Sequence, residues 1–190
     1  MKQAELIQNM TDRQVVTQLY ITQLLILLVS LGSSLYLFDG YTDWYELFQW
    51  DLKDIFYYGG SAALFILLLD VLLMKIMPKR FYDDGGINEK VFRNLPLMEI
   101  FALTFFVACA EELLFRGIIQ TEFGYLAASI IFALVHIRYL NKPVLFVSVL
   151  AISFYIGWMY EITGNLWVTI FAHFLIDLVL GIMIRYRVMR

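Results

Sequence analysis

The residues of this sequence that can do chemistry are few, and they interrupt long apolar runs. Glu111, Glu112 and Arg116 fall in one run, His136 in the next, and His173 and Asp177 in the last. His136 and His173 are the 2 histidines of the chain. An ionisable group at mid-bilayer costs about 2.5–3.5 kcal/mol on insertion scales, so its default reading is functional. Glu112 and Arg116 are four residues apart and share one helix face, in the order that favours an ion pair. That pair would cancel most of the charge cost and is read as structural. Glu111 points about 100° away around the helix and is left for chemistry. His173 and Asp177 repeat the spacing of four, and an Asp beside a His can fix its tautomer and orientation. Taken singly, each feature has a plainer explanation. His136 would be a packing histidine, His173–Asp177 a polar clamp between helices, and Asp70 a structural or snorkelling residue.

These residues need elements that suit lipid. Of the 190 residues, 61% are apolar and only 16% charged, with a mean hydropathy of +0.73. Soluble domains carry roughly 45–50% apolar and about 25% charged residues. The composition therefore excludes a soluble globular fold and predicts an all-α, polytopic transmembrane bundle in one membrane domain over 1–190. A membrane helix needs about 20 apolar residues. Six runs approach that length, at about 15–38, 57–77, 97–120, 124–139, 143–161 and 166–184; the fourth is short. Unbroken stretches such as Leu24-Leu25-Ile26-Leu27-Leu28-Val29 exclude the alternation of a barrel strand. The polar first dozen residues and the long first run predict a retained helix, not a cleaved signal peptide.

Charge orients the bundle. Twelve of the 14 lysines and arginines, Lys2, Arg93, Arg138, Lys142 and Arg190 among them, fall on the face of the termini and of the 78–96 and 139–143 loops. The acidic 39–54 loop is on the other face. The positive-inside rule then predicts cytoplasmic termini, in a plasma-membrane protein. The many aromatic residues of that loop read as an interfacial belt. A net charge of −3 argues against nucleic acid as a partner, and the 1 cysteine, Cys109, forms neither an intrachain disulfide nor a multi-Cys metal site. Depth brings the site residues together. Glu111 and His136 each lie about 12 residues, or roughly 18 Å, from a turn near Phe123-Gly124. His173 lies roughly 14 Å from the turn near Gly164, on the same face. One carboxylate and two imidazoles from three helices can meet at one level.

Three segments carry these residues: Glu111-Glu112-Leu113-Leu114-Phe115-Arg116-Gly117, Phe132-Ala133-Leu134-Val135-His136 and His173-Phe174-Leu175-Ile176-Asp177. Their order and spacing resemble the CAAX protease and bacteriocin-processing family of intramembrane proteases, whose pattern is E-E-x-x-x-R, then F-x-x-x-H, then H-x-x-x-N or D. The resemblance covers about 97–180. It implies a catalytic four-helix core over 97–184, with two accessory spans over 15–77. It implies hydrolysis of a peptide bond in a membrane-associated or lipidated peptide, with membrane lipid as the surrounding partner. Glu111 and His136 would activate water, and His173 with Asp177 would stabilise the oxyanion. Glu112 and Arg116 would support them. Asp177 stands where the prenyl-protease branch has Asn, so it would act protonated or by orienting His173. In that branch the site opens to the cytosol, whereas the turns nearest Glu111 and His136 are external by charge. No cofactor is expected, with zinc on Glu111, His136 and His173 as the lesser alternative. A non-catalytic immunity or partner-binding protein and a small proton transporter are the competing classes.

Overall fold

The computed structural model describes residues 7, 9–136, 139 and 142–188. Lys2, Arg138 and Arg190, counted above as cytoplasmic charges, lie outside the described residues. The architecture is helical, with no strand among the described residues. Helix α1 is Asp12–Leu37, α2 is Tyr41–Leu47, and α3 is Leu52–Ile76 with a π turn at Ile55–Gly59. After the short α4, Ile87–Phe92, helix α5 covers residues 97–123. It is α-helical over Leu97–Glu112, π-helical over Leu113–Gln120, and ends in a turn at Thr121–Phe123. Then come α6 (Tyr125–Val135), α7 (Pro143–Thr163) and α8 (Leu166–Arg185).

Local sequence explains the ends. Thr11 and Gln14 form a reciprocal capping box at the start of α1. Gly164, with φ +59°, closes α7 in the left-handed conformation that glycine tolerates. Asn165 then caps α8, accepting from the Trp167 N–H at 3.0 Å. Its amide also donates to the Gln49 carbonyl at 2.6 Å, tying the first loop to the bundle. Helix α8 is central and packs against α3, α4, α5 and α7. At Gly59 the π turn of α3 meets α8 so closely that a Cβ would lie 2.7 Å from the Val168 carbonyl oxygen.

The distribution of polarity is that of a lipid-solvated protein. Leu24, Leu25, Leu28 and Val29 of α1 and Leu64, Phe65, Leu68 and Leu72 of α3 are exposed, while Glu112, Arg116 and Thr169 are fully buried. Helices α1, α3, α7 and α8 are each long and apolar enough to cross a membrane. The six runs therefore resolve into four such spans, the charged and π-interrupted α5, and α6. At 11 residues α6 rises only about 16 Å, about half of a 30 Å hydrocarbon core. The aromatic residues of the first loop cap one end of the bundle. Phe48 and Trp50 pack edge-to-face on Trp167, with ring centroids 5.4 and 5.5 Å apart.

Candidate active site

The short α6 is what places His136. The helix stops at Val135, so His136 sits at its C-terminal end, inside the bundle, and not on the side of a longer span. Its backbone N–H donates to the Ala133 carbonyl, 3.3 Å away. Its Nδ1 lies 2.8 Å from the Phe132 carbonyl oxygen. A carbonyl only accepts, so Nδ1 carries a hydrogen, and in the neutral ring Nε2 keeps its lone pair. The Phe132 ring stands between the charged groups. Its centroid is 4.8 Å from that of the His136 ring and 6.2 Å from that of His173, and the Arg116 guanidinium carbon lies 4.8 Å over it.

Helix α5 supplies the carboxylates, immediately before its π segment. Such segments widen a helix locally and recur at functional sites. Glu112 faces inward. Its Oε1 accepts from His173 Nδ1–H at 2.8 Å, and its Oε2 lies 3.3 Å from Arg116 Nε. Arg116 Nη2 donates to the Ser153 carbonyl at 3.0 Å and to its hydroxyl at 3.2 Å, joining α5 to α7. One turn on, Gln120 Nε2 donates to the Gly157 carbonyl at 2.8 Å and to Glu161 at 2.7 Å. Glu112 therefore does more than neutralise Arg116: it fixes the ring of His173. The Asp177 carboxylate is 3.5 Å from His173 Nε2, too long for a good hydrogen bond. Glu111 turns the other way and accepts from Gln23 Nε2 at 2.7 Å.

Glu111, His136, His173 and Asp177 all line one cavity of about 1060 Å³, together with Gln23, Asp70 and Phe132. Glu112 and Arg116 lie behind its wall. Apolar Leu73, Val149, Ile152 and Leu180 continue the lining towards residues 79–93, where Lys79, Asp83, Asp84 and Arg93 contribute. The lining includes no residue of the 39–54 loop or of the turns at Gly124 and Gly164. The cavity thus extends towards the end of the bundle that carries the 78–96 loop, opposite the turns from which depth is measured in the sequence. Among the described residues, no three His, Cys, Asp or Glu side chains group as a metal-binding set. Gln23 and Ser153 are site residues that the sequence does not single out; the one signal it offers for Gln23 is an amide in the middle of an apolar run.

The fold and this arrangement define an integral membrane protein with a polar site enclosed between its helices. A family model described as "type II CAAX prenyl endopeptidase Rce1-like" matches residues 93–179, from the end of α4 into α8. The chain is 47% identical over 171 residues to the uncharacterized protein YpbD of Bacillus subtilis, covering 89% of each chain. It is 30% identical over 127 residues to the UPF0177 protein YxdF of Lactococcus lactis, covering 62% of this chain and 70% of that one. No solved structure matches the chain. The protein belongs to the Rce1-like family of CAAX-type intramembrane endopeptidases.

Proposed function

We propose that this protein hydrolyses a peptide bond of a membrane-associated or lipidated peptide with water activated by Glu111 and His136. The observation that carries the reading is the convergence of Glu111, His136 and His173, from α5, the end of α6 and α8, on one cavity inside a membrane bundle. A carboxylate within reach of a bound water can serve as its general base. Glu111 takes one proton from the water, and the lone pair on His136 Nε2 accepts a hydrogen bond from the O–H that remains and holds the oxygen in place. The water oxygen bonds to the scissile carbonyl carbon. His173, its Nδ1–H held by Glu112 and its Nε2 3.5 Å from Asp177, acts as the imidazolium between these two carboxylates and donates from Nε2–H to the developing oxyanion. The C–N bond then breaks, and the proton taken from water passes to the leaving amine. The products are a carboxylic acid, which keeps the second hydrogen of the water, and an amine; transfer of that proton gives the carboxylate and the ammonium, with no metal in the sequence of steps.

The apolar stretch of the cavity suits an acyl, prenyl or aliphatic side chain, and its polar end suits the peptide near a chain terminus. The positive-inside bias makes the 78–96 end cytoplasmic, so substrate enters from the cytoplasmic side of the plasma membrane. Residues 97–184 form the catalytic core and 15–77 the accessory spans. Purified protein is to be incubated in lipid with matched farnesylated, acylated and unmodified peptides, and the products read by mass spectrometry. The reading expects one internal bond cleaved, with lipidated peptides preferred. No product from any peptide, with the fold intact, would favour the partner-binding class.

A further inference from the structure

We propose that Gln23, on the first accessory helix, is a positioning residue for Glu111, so that the active site is incomplete without α1. The proposal rests on Glu111 being the base, and it adds a residue from outside the stretch that the family model matches. Gln23 is 3% exposed, although Leu24 and Leu25 beside it face outward. It lines the cavity together with Leu19, one turn earlier. Its Nε2 donates to Glu111 Oε1 at 2.7 Å, across 88 positions of sequence. A carboxylate only accepts, so the amide must present its nitrogen there. At that length, with an ionised acceptor, the bond is of the strong, charge-assisted kind.

The other end of the amide argues against a simple clamp. Gln23 Oε1 is buried and has no hydrogen-bond partner among the described residues. An unpaired amide oxygen away from water is costly. A residue retained only to hold helices together would gain by pairing both ends, or by being apolar. Gln23 pairs only the end that touches Glu111. A Glu side chain has three rotatable bonds, and among the described residues Gln23 is the hydrogen-bond donor that holds this one. Holding Oε1 restricts the rotation of the Glu111 carboxylate within the cavity that His136 and His173 also line. Precise placement of a base is worth orders of magnitude in rate.

The test uses the full chain in lipid, with Gln23→Met, which keeps length and loses the donor, and Gln23→Asn, whose donor is one methylene short. Turnover is measured on whichever of the farnesylated, acylated and unmodified peptides is cleaved best, with Glu111→Gln as control. The Glu111 carboxylate band is followed by infrared spectroscopy, assigned by its loss in Glu111→Gln. We expect kcat to fall on the order of 10- to 100-fold in both variants, as for a lost hydrogen bond to a charged group. KM should stay within about two-fold, because substrate binding is not touched. The carboxylate band should shift in Gln23→Met. Wild-type kcat in Gln23→Met, or an unshifted band with kcat and KM both disturbed and stability lowered, would overturn the positioning role and leave a clamp. If Glu111→Gln itself stays active, the base assignment falls instead, and with it this proposal. Inactive Glu111→Gln beside a fully active Gln23→Met removes the Gln23 role alone.

Discussion

Replacing Arg116 by Met tests whether that charge supports the fold or the chemistry. Arg116 is fully buried. It lies 3.3 Å from Glu112, donates to Ser153 at 3.0 and 3.2 Å, and covers the Phe132 ring at 4.8 Å. Arg116→Met strands the Glu112 carboxylate, leaving it the His173 N–H and the neighbouring Thr169 hydroxyl. Leaving one member of a buried pair uncompensated costs about 3–5 kcal/mol. The double variant Glu112→Gln/Arg116→Met carries neither charge, and the new amide oxygen can still accept from His173 Nδ1–H. Replacing both members of such a pair is often close to neutral, so the double variant should recover to within about 1–2 kcal/mol of the parent. The assay is denaturant unfolding in a fixed detergent or lipid mixture, with yield and peptide cleavage measured on the same preparations. Arg116→Met should be the least stable of the three proteins and the double variant intermediate. An inactive Arg116→Met of unchanged stability would refute this reasoning and move Arg116 into the chemistry. A double variant no better than the single would show that charge pairing is not the cause.

Contact geometry, charge bias and the proposed metal-free mechanism each give a further expected outcome. Gly59→Ala should cost about 1–3 kcal/mol in unfolding stability, since its Cβ would lie 2.7 Å from the Val168 backbone oxygen; an unchanged midpoint would mean that α3 and α8 are not in such close contact. A reporter inserted after Asp51 should read external and one fused at the C-terminus cytoplasmic, and the reverse pattern would discard the orientation drawn from charge. Activity should survive extended chelation, whereas a loss restored by stoichiometric zinc would replace the metal-free mechanism with a zinc site.

The ionisable residues that line the cavity inside the bundle are legible in the amino-acid sequence because lipid penalises them. Glu111, His136 and His173 stand out as ionisable groups in runs too apolar to hide them, and rise per residue places them at one depth. That arithmetic works for His136 because α5 and α6 leave the same turn at Gly124. It gives distance from that turn and not which end of the cavity is open; the lining by Lys79, Asp83 and Arg93 depends on how the 78–96 segment packs across α8. The early end of α6 is only partly announced: His136, Arg138, Asn141 and Lys142 mark a break, but not that the helix stops as early as Val135. The π segment after Glu112 is an outcome of tertiary packing and leaves no periodic signature. Gln23 escapes notice because an uncharged amide carries a smaller insertion penalty than an acid or an imidazole, and its partner is 88 residues away.

Glu111→Gln bears on the central claim most directly. The substitution keeps the size of the side chain and its capacity to accept from Gln23 Nε2, but removes the proposed base. Measured on the best lipidated substrate, with unfolding stability followed in parallel, cleavage should fall to the uncatalysed background while stability stays near that of the parent. Cleavage at a substantial fraction of the parental rate in a folded Glu111→Gln protein would contradict the account.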